Sequence, residues 1–392
     1  MATIAEELAL LPFFSRVARS DLERAAPRFR RVTLAPNEML WAQGSAVDEL
    51  ALILYGELSA SAQLREIGRI RAPDIIGETG AFVAGSVRSA TLKATLPTTL
   101  LALEVADLRR LRFERSRVYD ALLDLAQKSA VKRISATNAK LAAVAAGSFA
   151  APNRKEPGAL VRLWRVVRPG LPTGECPPPG PLLRAQPGLR DMEGEVEEAL
   201  AASFTAEAVA EGQVIVLEGE PGSCMYILAE GTVEVLRNVR GDRAELLTQL
   251  TPGQQFGANT LVESMARTAS CVAAGPGWLY RMDRAAFDGL RGDARLLWRE
   301  SVLATLSANT RNANAALEKA LRGATPAGAG AARSGGRASA ESAESSGGFS
   351  DLLRASGYLE SMPANEGELA EMDFVVDEDH QRNRKNRGVR RP

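Results

Sequence analysis

Two stretches of the chain, beginning near Val32 and near Val214, consist of short apolar runs separated by Gly, Pro, Asn and Asp. In the first, the runs recur at intervals of about 8–12 residues as far as Leu103, a spacing typical of all-β domains. Each run is long enough for a strand and too short for a helix of ordinary length. The pattern predicts a β-barrel or sandwich in each stretch.

Helical periodicity surrounds these strands. Short amphipathic segments occupy residues 3–28, and apolar residues then recur near heptad spacing from Tyr119 to Val144. A second long helix is predicted from about Ala294 to Leu321. Each set of strands is therefore expected to be followed by one long closing helix.

The two sets of elements form an internal repeat. Gly44 and Gly56 are separated by the same interval as Gly219 and Gly231, so two copies of one domain are expected, at residues 1–145 and 191–322. Nine of the chain's 20 prolines lie between 152 and 187, which predicts a Pro-rich linker over residues 146–190. The Gly-, Ala- and Ser-rich composition after residue 322 predicts a disordered tail over residues 323–392.

Composition excludes several classes of function. The 392 residues carry 48 basic and 48 acidic side chains, so no global charge favours nucleic acid or anionic membranes. No apolar run is long enough to predict a membrane span, and the N-terminus lacks the basic segment of a signal peptide. Three scattered cysteines and a single histidine argue against disulfides and metal sites. We expect a cytoplasmic protein with no catalytic residues, no metal and no cofactor.

Candidate ligand chemistry is concentrated in residues 75–91. Gly77 and Glu78 begin this segment, and Arg88 and Ser89 lie near its end, with mostly small or apolar residues between them. An arginine fork matches a phosphate in charge and geometry, and a carboxylate accepts hydrogen bonds from sugar hydroxyls. This combination favours a small sugar phosphate as ligand.

The chain resembles the cyclic nucleotide-binding domain at Gly44 and Gly56, at the Gly77–Glu78 pair and at the sequence Arg88-Ser89-Ala90. This β-roll occurs in the catabolite activator protein, in protein kinase A regulatory subunits and in cyclic-nucleotide-gated channels. The resemblance implies a mainly β fold with flanking helices: two jelly-roll-like β-rolls, each closed by a long C-terminal helix. It also implies that Glu78 binds the ribose 2′-hydroxyl, that Arg88 and Ser89 bind the cyclic phosphate, and that the backbone of Gly77, Thr79, Gly80 and Ala81 contributes.

In the activator branch of this family, the long helix supplies Thr and Ser side chains that contact adenine. The resemblance places Thr137 at the threonine position and Asn138 at the serine position. It also implies a homodimer formed through this helix. Threonine on a helix surface is common without any such role, so an ordinary surface position stays open for Thr137.

The second copy departs from the pattern. Ala258 stands where the resemblance requires a ribose-binding carboxylate, while Gly257, Arg267 and Thr268 keep their positions. Losing a charged hydrogen bond costs about 1.5–3 kcal/mol, so the second site is expected to be weak or degenerate.

The sequence favours a regulatory protein whose first domain binds cAMP, or cGMP, and relays this to a protein partner through the long helix. A nucleotide-independent scaffold built on degenerate domains is the first alternative. A transcription regulator is the second, but no helix-turn-helix follows either long helix, and an Arg-rich segment over residues 381–392 predicts only non-specific DNA contacts. No motif supports an enzyme.

Overall fold

The computed structural model describes residues 2–62, 65–83, 85–148, 170–237 and 245–323 of the chain. The segments at 149–169 and 324–392, which include nearly half of the predicted linker and almost all of the predicted tail, lie outside the described residues. Within the described residues, no helix has the length and apolar character needed to cross a membrane.

The first half begins with two short helices, α1 (Ile4–Leu10) and α2 (Arg19–Ala25). Thr3 caps α1 in a capping box, in which its hydroxyl accepts from the Glu6 N–H and the Glu6 carboxylate accepts from the Thr3 N–H. Eight strands follow: β1 (Phe29–Leu34), β2 (Met39–Trp41), β3 (Glu49–Tyr55), β4 (Glu57–Ala62), β5 (Arg65–Arg71), β6 (Asp74–Ile76), β7 (Thr91–Ala94) and β8 (Thr98–Glu104).

Three further helices belong to this half. The single-turn helix α3 (Glu78–Ala81) lies between β6 and β7. After β8 the chain forms α4 (Val105–Phe113) and then the long α5 (Arg117–Ser148).

The second half begins with α6 (Pro179–Arg184) and α7 (Gly194–Ala201). Residues 179–184 fall inside the predicted linker, yet they are helical here, and Leu183 is buried in the core of the protein. The strands that follow are β9 (Thr205–Val209), β10 (Val214–Val216), β11 (Cys224–Glu230), β12 (Val233–Arg237), β13 (Glu245–Leu250), β14 (Gln255–Phe256), β15 (Ser270–Ala273) and β16 (Gly277–Asp283). The helices α8 (Ala258–Val262), α9 (Arg284–Gly289) and α10 (Gly292–Gly323) complete the half.

Both halves have one topology. In the first, the sheet orders are β1-β8-β3-β6 and β2-β7-β4-β5, and in the second they are β9-β16-β11-β14 and β10-β15-β12-β13. The paired strands are antiparallel. This confirms the prediction of two β-rolls with flanking helices, and the strand-for-strand match explains the repeated glycines.

One repeated glycine shows why the register is kept. Gly56 joins β3 to β4 with φ +97, and a Cβ placed there would lie 2.4 Å from Thr98 Oγ1. A side chain at this turn is therefore excluded both by the backbone conformation and by the neighbouring strand.

The two long helices, α5 and α10, pack against each other along their length in parallel orientation. Gln127 on α5 donates to the Arg299 carbonyl (2.9 Å), and ten residues further along α5, Thr137 contacts Asn314 of α10 (3.2 Å). The apolar face of α5, through which a homodimer is expected to form, is thus covered by α10 of the same chain. One core of apolar side chains spans both halves, including Leu122 and Trp298.

Candidate functional site

A cavity of about 180 Å³ opens in the first half, between the β-roll and the two long helices. Of the residues that the sequence singles out, it is lined by Gly77, Thr79, Gly80, Arg88, Ser89 and Thr137. Helix α10 closes one side through Thr310 and Asn314. The cavity therefore brings the predicted phosphate-binding segment together with the second half of the chain.

Arg88 lies at the centre of this arrangement and is 4% exposed. Its Nη1 donates to the Glu49 carbonyl (2.8 Å) and its Nη2 to Asp48 Oδ1 (2.9 Å), while its guanidinium carbon lies 3.5 Å from the centre of the Trp41 ring. Burial lowers the pKa of the guanidinium, and Asp48 opposes this shift. Arg88 Nε is buried and has no hydrogen-bond partner among the described residues.

The backbone at Gly77 makes room for this arginine. Gly77 has φ +76, and a Cβ there would lie 2.6 Å from Arg88 Nη1 and 3.0 Å from the Trp41 ring. The N–H groups of Gly80 and Ala81 both donate to the Gly77 carbonyl (3.2 and 3.0 Å), so these two amides are already bonded within the turn. A side chain at position 77 would displace the guanidinium.

Glu78 is fully buried at the start of α3 and does not line the cavity. It accepts from Arg133 of α5 through Oε1, while Oε2 is buried and has no hydrogen-bond partner in the described part of the chain. Burial raises the pKa of this carboxyl, and Arg133 opposes the shift. Glu78, the residue predicted to bind the ribose, is therefore held by one ion pair, and its second carboxylate oxygen forms no hydrogen bond with the described residues.

The predicted base contacts divide between the two long helices. Thr137 lines the cavity and contacts Asn314 (3.2 Å), whereas Asn138 lies outside the lining. Asn314 was not expected from the sequence. The buried positions of α5 and α10 repeat in the same order, from Val118 and Ala294 onward, and aligning them pairs Asn314 with Asn138. The signal was present, but it requires knowing that α10 pairs with α5.

The corresponding segment of the second half is arranged differently. Arg267, which is 7% exposed, donates from Nη2 to the Cys224 carbonyl (2.8 Å) and from Nη1 to the Gly257 carbonyl (3.3 Å). Ser223 precedes β11 where Asp48 precedes β3. The side chain of Ala258 is part of the apolar core, and Thr268 is exposed. In this segment the protein itself supplies the contacts: Arg267 bonds to backbone carbonyls, one of them that of Gly257, and Ala258 packs in the core.

Comparison with known proteins identifies the repeat. A family model for the cyclic nucleotide-binding domain matches residues 31–115 and again residues 206–293. The chain contains two cyclic nucleotide-binding domains. The predicted family is thereby confirmed for both halves, and the fold agrees with it.

Individual relatives match more narrowly. Human and mouse cGMP-dependent protein kinase 2 are each 38% identical over 63 residues, which is 16% of this chain and 8% of the kinase. Among solved structures, the regulatory domain of Toxoplasma gondii PKA with cAMP is 18% identical and covers 76% of this chain and 94% of its own, with a TM-score of 0.27. The regulatory subunit of a cAMP-independent protein kinase A from Trypanosoma brucei is 19% identical and covers 73% and 85%, with a TM-score of 0.26.

Proposed function

We propose that this chain is a regulatory protein that senses a cyclic mononucleotide, with cAMP the favoured ligand, through its first domain. The observation that carries the proposal is that two of the nine buried side-chain polar atoms without a hydrogen-bond partner among the described residues are Glu78 Oε2 and Arg88 Nε. Buried polar atoms are nearly always hydrogen-bonded, so two orphans in the two residues that the family pattern assigns to ligand need an explanation. A cyclic phosphate would satisfy Arg88 Nε, and a ribose hydroxyl would satisfy Glu78 Oε2 once the cavity widens enough to reach this buried carboxyl.

The contacts of Arg88 suggest how a phosphate is received. Asp48, the carboxylate that pairs with Arg88, has a side chain that is 82% exposed, so this ion pair is weakened by solvent on one side. A phosphate beside Arg88 and Ser89 would compete with Asp48 for a guanidinium held in place by Trp41. A positioned arginine fork binds a phosphate in bidentate geometry without much loss of side-chain freedom.

The base would lie toward α5 and α10. Thr137 and Asn314 offer one hydroxyl and one amide, which can donate and accept. These groups fit the amino group and ring nitrogen of adenine, and we assign the base contacts to Thr137 and Asn314 rather than to Asn138, which does not line the cavity.

The same geometry suggests the relay. Arg311 of α10 donates to the Thr79 carbonyl (3.4 Å), so the second closing helix touches the predicted phosphate-binding turn directly. At about 180 Å³ the cavity is smaller than the roughly 300–1,000 Å³ typical of ligand sites. We infer that α10 has a second position in which the cavity is wider, and that ligand binds more tightly in this position. The difference in binding free energy between the two positions sets how far ligand shifts the equilibrium. A protein partner would bind to the helix in its displaced position. The proposal includes a cytoplasmic, non-enzymatic role.

Calorimetric titration with cAMP and cGMP tests the proposal. Arg88→Lys keeps the charge but removes the fork, and we expect at least a tenfold loss of affinity. Arg267→Lys is the matched control, because it changes the equally buried arginine of the second domain and should leave first-site affinity unchanged. Absence of binding, or equal losses in both variants, would contradict the proposal.

One observation favours a nucleotide-independent scaffold as the second candidate. Arg88 already has two hydrogen-bond acceptors, Asp48 and the Glu49 carbonyl, so the site is partly satisfied without ligand. If this candidate is correct, partner proteins will co-purify equally well with the wild type and with Arg88→Lys, with or without added cAMP.

A further inference from the structure

A second and larger cavity, of about 510 Å³, lies where the two long helices begin. Six arginines line it, three from each half of the chain: Arg112, Arg115, Arg117, Arg291, Arg295 and Arg299. Only two acidic residues share the lining, Asp120 and Asp293. This arginine cavity has no counterpart in the motifs that identify the family, and it is separate from the pocket around Arg88.

Part of its positive charge is uncompensated. Arg112 is paired with Glu300 (2.6 Å), and Arg115 is paired with Asp293 (2.9 Å). Arg291 donates only to backbone carbonyls, and Arg295 has no acidic partner within the part of the chain that the structure describes. Two exposed arginines of the lining are thus available to an incoming anion.

Arg299 forms a buried part of the lining and is 6% exposed. Its Nε and Nη2 donate to Gln127, and Nη2 also donates to Asp124 (3.3 Å), whereas Nη1 has no partner among the described residues. Burial lowers the pKa of this guanidinium, Asp124 opposes the shift, and Arg295 adds to the lowering. A buried cation beside a second cation is costly unless an anion joins them.

The backbone conformation of Arg115 gives independent support for a role of this cavity. Arg115 has φ +50, a left-handed conformation in which a non-glycine residue is disfavoured by roughly 1–2 kcal/mol. At the start of α10, a glycine, Gly292, takes the comparable conformation with φ +53. Keeping an arginine at such a position suggests that its side chain is needed there.

We propose that the arginine cavity binds a small anion carrying two or more linked phosphates. The volume lies within the range of ligand sites, and arginines from both halves line one open cavity. A single carboxylate or monophosphate would contact fewer of them. Pyrophosphate and the phosphate chain of a nucleoside triphosphate share the required chemistry.

Calorimetry on the full chain tests this with pyrophosphate and with ATP, at constant ionic strength. In Arg291→Ala/Arg295→Ala, affinity for both probes is expected to fall at least tenfold. The control is Arg16→Ala/Arg190→Ala, which removes two exposed arginines elsewhere and gives the same change in net charge. Arg88→Lys should leave pyrophosphate affinity unchanged, which separates this site from the proposed nucleotide pocket. Tighter binding of ATP would assign a nucleotide, and equal binding would assign a free oligophosphate.

Arg115→Gly provides a test that does not depend on loss of fold. Glycine relieves the left-handed conformation, so thermal stability should be unchanged or higher while affinity falls. The proposal is overturned if neither probe binds, if the control double variant loses as much affinity, or if Arg88→Lys abolishes pyrophosphate binding. A tetra-aspartate peptide that bound more tightly than pyrophosphate, with the same arginine dependence, would also overturn it in favour of an acidic protein segment.

Discussion

Glu78 is a buried carboxylate with one oxygen bonded to Arg133 and the other unbonded. If Oε2 receives the ribose 2′-hydroxyl, Glu78→Gln will weaken cAMP binding by roughly ten- to a hundredfold, because a charged hydrogen bond is lost. The decisive measurement is a double cycle with 2′-deoxy-cAMP. Removing the hydroxyl should weaken binding to the wild type and have little further effect on the variant. Independent, additive losses would show that Glu78 and the hydroxyl do not meet.

The ionisation of Glu78 gives a pH prediction. Burial raises its pKa above the ordinary value of 4.5. The ionised form is the one that pairs with Arg133 and accepts a hydroxyl, so cAMP affinity should decline as pH falls through this raised pKa. The decline should therefore begin at a higher pH than an ordinary glutamate would give. Binding curves measured across the acid range should lose this component in Glu78→Gln; a profile unchanged by the substitution would exclude Glu78 as its source.

Gly77 offers a test of the close packing around Arg88. Gly77→Ala introduces strain at φ +76 and a contact of 2.6 Å with Arg88 Nη1. Gly85→Ala is a matched control, because Gly85 has φ +73 but no atom within 4 Å of the added carbon. Both variants should lose roughly 1–2 kcal/mol of folding stability from the backbone. Only Gly77→Ala should also weaken nucleotide binding, measured by titration after both variants are shown to fold.

At this scale the sequence predicted which residues of one segment lie close together, and their role in ligand binding stays a prediction. The glycine, the acid and the arginine have fixed spacing along one short segment, so their proximity follows from local chain geometry. Asn314 did not follow, since it lies far from that segment in sequence and reaches the cavity only through the packing of α10 on α5.

The pairing of α5 with α10 is the main feature at the scale of elements. Heptad-spaced apolar residues predict that a helix packs against another helix but contain no information on which chain supplies it. The partner here is the second closing helix. Gln127 and Arg299 form a buried polar link between the two. The Gln127 amide N–H donates to the Arg299 carbonyl, and the Gln127 amide oxygen accepts from the Arg299 guanidinium.

Removing this link should destabilise the helix pair. In Gln127→Ala, the buried Arg299 guanidinium and carbonyl both lose a partner, which should cost about 1–3 kcal/mol of unfolding free energy. Lys128→Ala removes a half-exposed ion pair with Asp124 on the same helix (2.8 Å) and should cost no more than about 1 kcal/mol. Urea denaturation measures both variants, and the reverse order of losses would mean that the Gln127 bonds contribute little to stability.

At the scale of the whole molecule, the two domains share a core. Apolar side chains from both long helices and both β-rolls form one continuous cluster, and Ala316, Leu317 and Ala320 of α10 pack against the first β-roll. Neither long helix can leave its place without exposing apolar surface of the other domain. Two domains joined only through a linker would unfold separately, whereas this arrangement predicts one cooperative transition.

Ligand binding should therefore stabilise the entire described molecule. At a cAMP concentration one hundred times Kd, the free energy of unfolding should rise by about 2.7 kcal/mol, and the single calorimetric transition should move as a unit. At the same cAMP concentration, Arg88→Lys should lower this gain to about 1.4 kcal/mol or less, because the weakened site is then at ten times its Kd or below, while Arg267→Lys should preserve the full gain. Two transitions, of which only one responds to cAMP, would show that the second domain does not sense occupancy of the first. In that case α10 could not serve as the relay, even if the first domain bound nucleotide.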